Sequence, residues 1–197
     1  MFAQQDTQTS MYFFNPLQFN PAYAGSRGTL NITGVTRAQW IGWDGAPNSQ
    51  FLSVHAPVLR KDIGVGATIA YDKIGSRSGF SAMANFAYQL QLNKEDLRLA
   101  LGLSGGIQQY GYDFSTLIAT NVNDPSYTNS FRQTKANFGF GAYLFQQNFY
   151  AGISIPRLIK RSIDNNSGNA YLQRHLYVTG GYVYKVNSIL EKKPSVS

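Results

Sequence analysis

Between residues 29 and 187 apolar and polar positions alternate with a period of two, and the apolar phase carries no charge. Leu30, Ile32, Ala38 and Trp40 share one phase, as do Ile63, Val65, Ala67, Ile69 and Tyr71 further on. Phe80, Ala82, Ala84, Phe86, Tyr88, Leu90 and Leu92 continue the pattern, followed by Leu97, Leu99, Leu101 and Leu103. A period of two means extended strands whose side chains point alternately to opposite faces. The opposite phase is small or uncharged polar: Gly64, Gly66 and Thr68, then Ser81, Asn85, Gln89 and Gln91, then Gly102, Ser104, Gly106 and Gln108. A soluble half-buried sheet carries Lys and Glu on that phase. An apolar outer face with a small-polar inner face is the pattern of a barrel wall standing in lipid.

The alternation predicts about eight strands, at 29–42, 48–60, 62–72, 79–93, 96–110, 134–147, 149–156 and 171–187. Most have the ten or so residues a tilted strand needs to cross a bilayer. The connections are expected to alternate in length. Longer ones run over 42–48, 72–78, 111–133 and 157–170, and tight ones over 59–62, 93–96 and 146–148. That rhythm predicts an all-β, antiparallel up-and-down transmembrane β-barrel with long extracellular loops and short periplasmic turns, the eight strands being part of a larger barrel. Trp40, Trp43, Tyr71, Tyr110 and Tyr112 stand near strand ends facing the longer loops and are expected to form an aromatic girdle. Six ionisable residues fall on the inner phase: Arg37, His55, Arg98, Lys135, His175 and Lys185. They are expected to face the lumen, because a charge on the lipid face near the midplane costs roughly 2–4 kcal/mol.

Composition agrees with a membrane barrel. Only 14% of the 197 residues are charged, well below a soluble domain, whereas Gly (19), Tyr (13) and Phe (13) are abundant. The chain has no cysteine, which excludes a disulfide framework and a thiolate metal site. No stretch is long and apolar enough for a transmembrane helix. The net charge of +7 is scattered over loops rather than gathered on one element, so nucleic acid is not an expected partner. His55 and His175 are the only histidines. His55 has no Ser–Asp arrangement near it, and His175 has Ser167 and Asp164 only in the preceding loop; both read as structural polar groups of the lumen, so no enzyme activity is expected. Asp113, Asp124 and Asp164 read as turn residues rather than metal ligands, and no cofactor is expected. Met1 to Ala3 read as the stub of a signal peptide. The expected organisation is this stub with an ordered leader over 1–28, then an outer-membrane barrel domain over 29–197 lacking its C-terminal strands.

The leader holds two Asn-Pro steps, Asn15-Pro16 and Asn20-Pro21, so it is neither helix nor central strand. It is too aromatic for a free tail and is expected to pack against the barrel end or enter its lumen. From Tyr12 to Gly25, through Asn15, Asn20, Pro21, Ala22, Tyr23 and Ala24, it resembles the N-terminal signature of the PorP/SprF family of type IX secretion system membrane proteins from the Bacteroidota. A second signature of that family, an Arg-x-Gln-Trp strand and a Gly-Ala-Pro loop, is matched by Arg37, Gln39, Trp40, Gly45, Ala46 and Pro47. A third, an Asp-x-Ile-Gly turn after a Gly-x-Gly strand, is matched by Gly64, Gly66, Asp72, Ile74 and Gly75. The resemblance implies a non-enzymatic β-barrel of the bacterial outer membrane, in contact with outer-membrane lipid. It also implies a component of the type IX secretion and gliding-motility machinery that binds, exports or anchors secreted surface proteins through its extracellular loops. The implied partners are other secretion-system envelope proteins and secreted proteins with a C-terminal sorting domain. Family members are longer, so this chain is expected to be a fragment. The alternative reading is a passive porin-like channel with weak anion preference from its inward cations.

Overall fold

The computed structural model describes residues 15–58, 62–93, 96–113, 131–159, 161–162, 171–172 and 175–184. Among the described residues, ten strands follow two short 3-10 turns, Pro16–Gln18 and Pro21–Tyr23. They are β1 (Asn31–Ala38), β2 (Asn48–Val58), β3 (Ile63–Ile74), β4 (Arg77–Gln91), β5 (Arg98–Tyr112), β6 (Phe131–Phe145), β7 (Phe149–Ile155), β8 (Arg161–Ser162), β9 (Tyr171–Leu172) and β10 (Tyr177–Tyr182). Eight of them form one antiparallel sheet in the order β1-β2-β3-β4-β5-β6-β7-β10, and β8 pairs with β9 as a separate small hairpin. The large sheet is an up-and-down meander curled into a half-barrel, with β1 and β10 at its edges. No helix among the described residues is long and apolar enough to cross a membrane.

The period-two pattern becomes geometry directly. In β1 the residues alternate half-buried and exposed without a break, Asn31, Thr33, Val35 and Arg37 facing one side and Ile32 and Ala38 the other. One row across the convex face runs Val65, Phe86, Leu103, Phe140, each the register partner of the next. All four are exposed, Leu103 at 59%. One residue along, the concave row reads Gly66, Asn85, Ser104, Gly139, and Asn85 and Ser104 are buried. The buried apolar core among the described residues comprises Leu17, Ala22, Tyr23, Ala24, Ala87, Ala100 and Tyr143. It therefore lies on the concave side, and four of its members precede the first strand. The sheet buries its small-polar face against its own leader and leaves its apolar face uncovered.

Three details differ from the sequence reading. The β3–β4 connection is not a loop over 72–78. The ladder continues through Asp72↔Gly79, Lys73↔Ser78 and Ile74↔Arg77, leaving Gly75-Ser76 as a two-residue turn. Gly75, at φ +56°, supplies the left-handed backbone that such a hairpin needs at its first central position. The last strand of the large sheet spans Tyr177–Tyr182 rather than 171–187, and Tyr171–Leu172 pair instead with Arg161–Ser162. Tyr110 and Tyr112 do not join a girdle on the apolar face. They share the phase of Ser104 and Gln108, and Tyr110 turns its ring to the concave side, where the Arg77 guanidinium lies 5.9 Å from its centroid. Trp40, Trp43 and Tyr71 are exposed.

Candidate functional site

The leader crosses the concave face along a track of small residues. Gly64 of β3, Ala87 of β4, Gly102 of β5, Gly141 of β6 and Ser154 of β7 are successive register partners, so they form one row perpendicular to the strands. The segment from Asn20 to Gly25 lies against this row. A Cβ on Gly102 would fall 2.1 Å from the Ala22 amide nitrogen, and one on Gly64 2.0 Å from the Ala24 carbonyl oxygen. A Cβ on Gly141 would fall 2.1 Å from Asn20 Oδ1. Glycine occurs at 64 and 102 because backbone passes over them at a distance that admits no side chain, and at 141 because the Asn20 side chain and the Pro21 ring fill the space a Cβ would take. Leu17 seats beside the same track, 3.2 Å from where a Cβ of Gly66 would be.

Each described motif residue of the leader has a physical task, Tyr12 lying outside the described residues. Pro16 and Pro21 open the two 3-10 turns, their fixed φ suiting the first position and their missing N–H costing nothing there. Asn20 caps the second turn: its Oδ1 accepts from the Ala22 amide at 3.0 Å, while its Nδ2 donates to the Ala142 carbonyl of β6 at 3.0 Å. Asn15 and Ser53 of β2 exchange hydrogen bonds, Nδ2 to Oγ at 3.0 Å and Oγ to Oδ1 at 3.2 Å. Gln89 of β4 donates to the Ala24 carbonyl at 3.3 Å. Small Ala22 and Ala24 are fully buried where the chain runs closest to the sheet. Tyr23 packs edge-on against both Tyr143 of β6 and His55 of β2, at ring-centroid distances of 5.4 and 5.5 Å. Its hydroxyl accepts from Arg27 Nε at 2.9 Å, a bond that holds the guanidinium even more firmly protonated than usual.

His55 is 4% exposed, and its Nδ1 accepts from the Gly25 amide at 3.1 Å. That bond needs an imidazole with a bare Nδ1, so His55 serves here as a neutral acceptor that anchors the end of the leader. The other ionisable residues of the inner phase do not converge on it. Arg37 lines a hollow near the β1–β2 loop, Lys135 is half-buried opposite Gln108, and Arg98 pairs with Asp96 at 3.5 Å near the short-turn end. His175 precedes β10, exposed, 6.4 Å from the Tyr177 ring. Lys185 lies outside the described residues.

The second and third motif blocks meet at the opposite end of the sheet. The Gly75 amide of the β3–β4 turn donates to the Gly45 carbonyl of the β1–β2 loop at 2.9 Å. The Gln39 amide donates to the Pro47 carbonyl at 3.0 Å, closing that loop at its base. Trp40, at φ 51°, turns the chain out of β1 and stands 72% exposed beside Ile41 and Trp43. In register, Arg37, Ser49 and Asp72 are neighbours across β1, β2 and β3, and Ser49 Oγ donates to an Asp72 carboxylate oxygen. No group of three His, Cys, Asp or Glu residues among the described residues is placed to hold a metal ion.

Sequence reading missed two arginines. Arg77 and Arg157 both turn into the hollow that Arg37 lines. Arg77 follows a turn that read as a loop, and Arg157 falls at the start of the longer connection read over 157–170. Only the register, in which Arg77 opposes Tyr112, discloses the first.

A curled antiparallel meander with an apolar convex face, and a concave face occupied by its own N-terminal segment, is consistent with the wall of a β-barrel. Over its whole length, residues 1–197, the chain matches the family described as Type IX secretion system membrane protein PorP/SprF, and it belongs to that family. No curated protein and no solved structure matches it. The family is one of secretion-system membrane components, not of enzymes.

Proposed function

We propose that the protein is an outer-membrane component of the type IX secretion machinery that binds, exports or anchors secreted surface proteins through the loops at the wide-loop end of its barrel, in contact with other envelope proteins of the system. The observation that carries this reading is the seated leader. It occupies the concave surface over β3 to β7 and is tied to β2, β4 and β6 by side-chain hydrogen bonds. A wall whose inner face is occupied in this way is suited to presenting loops, not to passing solutes. The exposed Trp40, Ile41 and Trp43 at the β1–β2 loop support the same reading, since recognition residues gather on loops held by a rigid scaffold. The inward residues Arg37, His55, Arg98 and Lys135 then serve as polar groups of the interior, not as a conduction path.

A planar-bilayer recording tests the choice between adaptor and channel. The purified protein is expected to give no steady conductance, and pull-down from its own cells to recover a secreted protein bearing a C-terminal sorting domain. Substituting Trp40 and Trp43 together with serine is expected to lower that recovery at least tenfold. Steady open conductance with no secreted partner would make the protein a passive channel instead.

A further inference from the structure

We infer that the concave face binds a neutral oligosaccharide, in the hollow that lies beside the leader on the side toward the longer loops. The leader covers the row from Gly64 to Ser154, and the hollow opens over the next inward row, that of Asn85 and Ser104. It measures about 840 Å³, the size of a small-molecule site. Thr68, Ser81, Asn85, Ser104 and Asn137 line it with hydroxyls and amides, and no described residue lining it is a carboxylate. Arg157 and Gln108 also line it and have interactions of their own, and His175, exposed ahead of β10, borders it.

Two amides in this hollow are incomplete. Asn85 is 6% exposed and Asn137 4%. Among the described residues Asn85 Nδ2 has no hydrogen-bond partner, and neither has Asn137 Oδ1, although Asn137 Nδ2 donates to the Pro156 carbonyl at 3.1 Å. Buried polar atoms are nearly always paired, so a donor and an acceptor left open beside one hollow point to an occupant that completes both. An anion would meet the donor and be repelled by the acceptor, and a cation would find no carboxylate. The two residues stand on β4 and β6 with β5 between them. Asn85 pairs with Ser104 and Ser104 with Gly139, which puts Asn137 two residues out of line. A strand spacing of about 4.8 Å and a rise of about 3.4 Å per residue place their backbones roughly 12 Å apart. One small group cannot meet both, whereas a chain of two or three sugar rings can. Each sugar hydroxyl donates and accepts, so it suits either amide atom. The C–H faces of the rings suit aromatic walls, and Phe51 with the Phe19–Tyr177 pair, 5.1 Å between centroids, supplies them. A peptide is the poorer match. It gains most by pairing its backbone with a free strand edge, and β4, β5 and β6 are paired on both sides. This site goes beyond the adaptor reading and does not depend on which proteins the loops hold.

Isothermal titration with maltotriose, and separately with chitotriose, tests the inference on the full-length protein folded in a detergent that has no sugar headgroup. Saturable binding of at least one is expected, with glucose, a single ring, at least tenfold weaker. N85L and N137L are each expected to weaken the trisaccharide at least tenfold. Asn85 Nδ2 bonds nothing in the free protein, so N85L is expected to unfold at the parent temperature and to separate lost recognition from lost fold. It carries the comparison if N137L, which also gives up the Pro156 bond, does not fold. K73Q, at an exposed position on the opposite phase of β3, is expected to bind as the parent does. No heat from either trisaccharide, equal affinity in parent and N85L, or glucose binding as tightly as the trisaccharide would overturn the site. Binding of N-acetyl-trialanine amide in place of both sugars would overturn it too.

Discussion

Gly102→Ala unseats the leader. The added methyl would stand 2.1 Å from the Ala22 nitrogen and 2.4 Å from its Cα, and both are backbone atoms that no rotamer change can move aside. The leader is pinned on either side of this point, by Asn20 to Ala142 and by Gln89 to Ala24, so lifting Ala22 off β5 strains or breaks those bonds too. Overpacking a close contact costs about 1–3 kcal/mol, and the rigidity of the colliding atoms puts this variant near the upper end. Gly64→Ala is expected to act alike, its methyl falling 2.0 Å from the Ala24 carbonyl oxygen. Gly105→Ala is the control on the same strand. Its methyl would meet only the Phe138 ring at 3.5 Å, an ordinary contact, so stability is expected to stay within about 0.5 kcal/mol. Limited tryptic proteolysis checks the series: cleavage after Arg27 should accelerate in G102A and G64A and stay at the parent rate in G105A.

Leu103→Arg is expected to destabilise the folded protein in a bilayer by roughly 2–4 kcal/mol, the cost of a charge on the lipid face near the midplane. Leu103 sits in the convex row between Phe86 and Phe140 and is 59% exposed. The same substitution on the exposed face of a water-soluble sheet would be close to neutral, because arginine hydrates well there and half-exposed leucine contributes little packing. The sign and size of the effect thus discriminate between hydrocarbon and water as the solvent of this face. Denaturant unfolding from lipid vesicles measures it. Leu101→Arg, one outward position away on β5, should behave in the same way.

The sheet was legible because a period-two pattern needs no tertiary information. Each strand declares its two faces in its own residues, and those faces hold from β1 to β7. What resisted reading depended on register. Gly64, Gly102 and Gly141 look like unrelated glycines along the chain, 38 and 39 residues apart. Only pairing aligns them into one row, and only the row explains why the Asn-Pro-Ala-Tyr-Ala-Gly segment can lie flat upon it. The leader's order was readable from its prolines and aromatics, but its hydrogen-bond partners on β2, β4 and β6 were not, since they stand 30 to 122 residues away. The β3–β4 turn was misjudged because Lys73, Ser76, Arg77 and Ser78 are polar and loop-like in composition, while a single glycine at positive φ allows the ladder to run through them. Tyr110 and Tyr112 were misjudged because nearness to a strand end outweighed phase, which is the stronger constraint. Arg77 and Arg157 escaped notice for a related reason: each adjoins a connection, where charge is usually solvated, yet both turn inward.

Alternation of solvent along one strand tests the central claim most directly. The chain has no cysteine, so single cysteines at Ala100, Leu101, Leu103 and Ser104 of β5 can each carry a small fluorophore without competing labels. In vesicles containing brominated lipid, the probes at 101 and 103 are expected to be strongly quenched, and those at 100 and 104 to be spared. Uniform quenching along the strand, or none at 101 and 103, would contradict a wall that turns its apolar face to hydrocarbon and its small-polar face to its own leader.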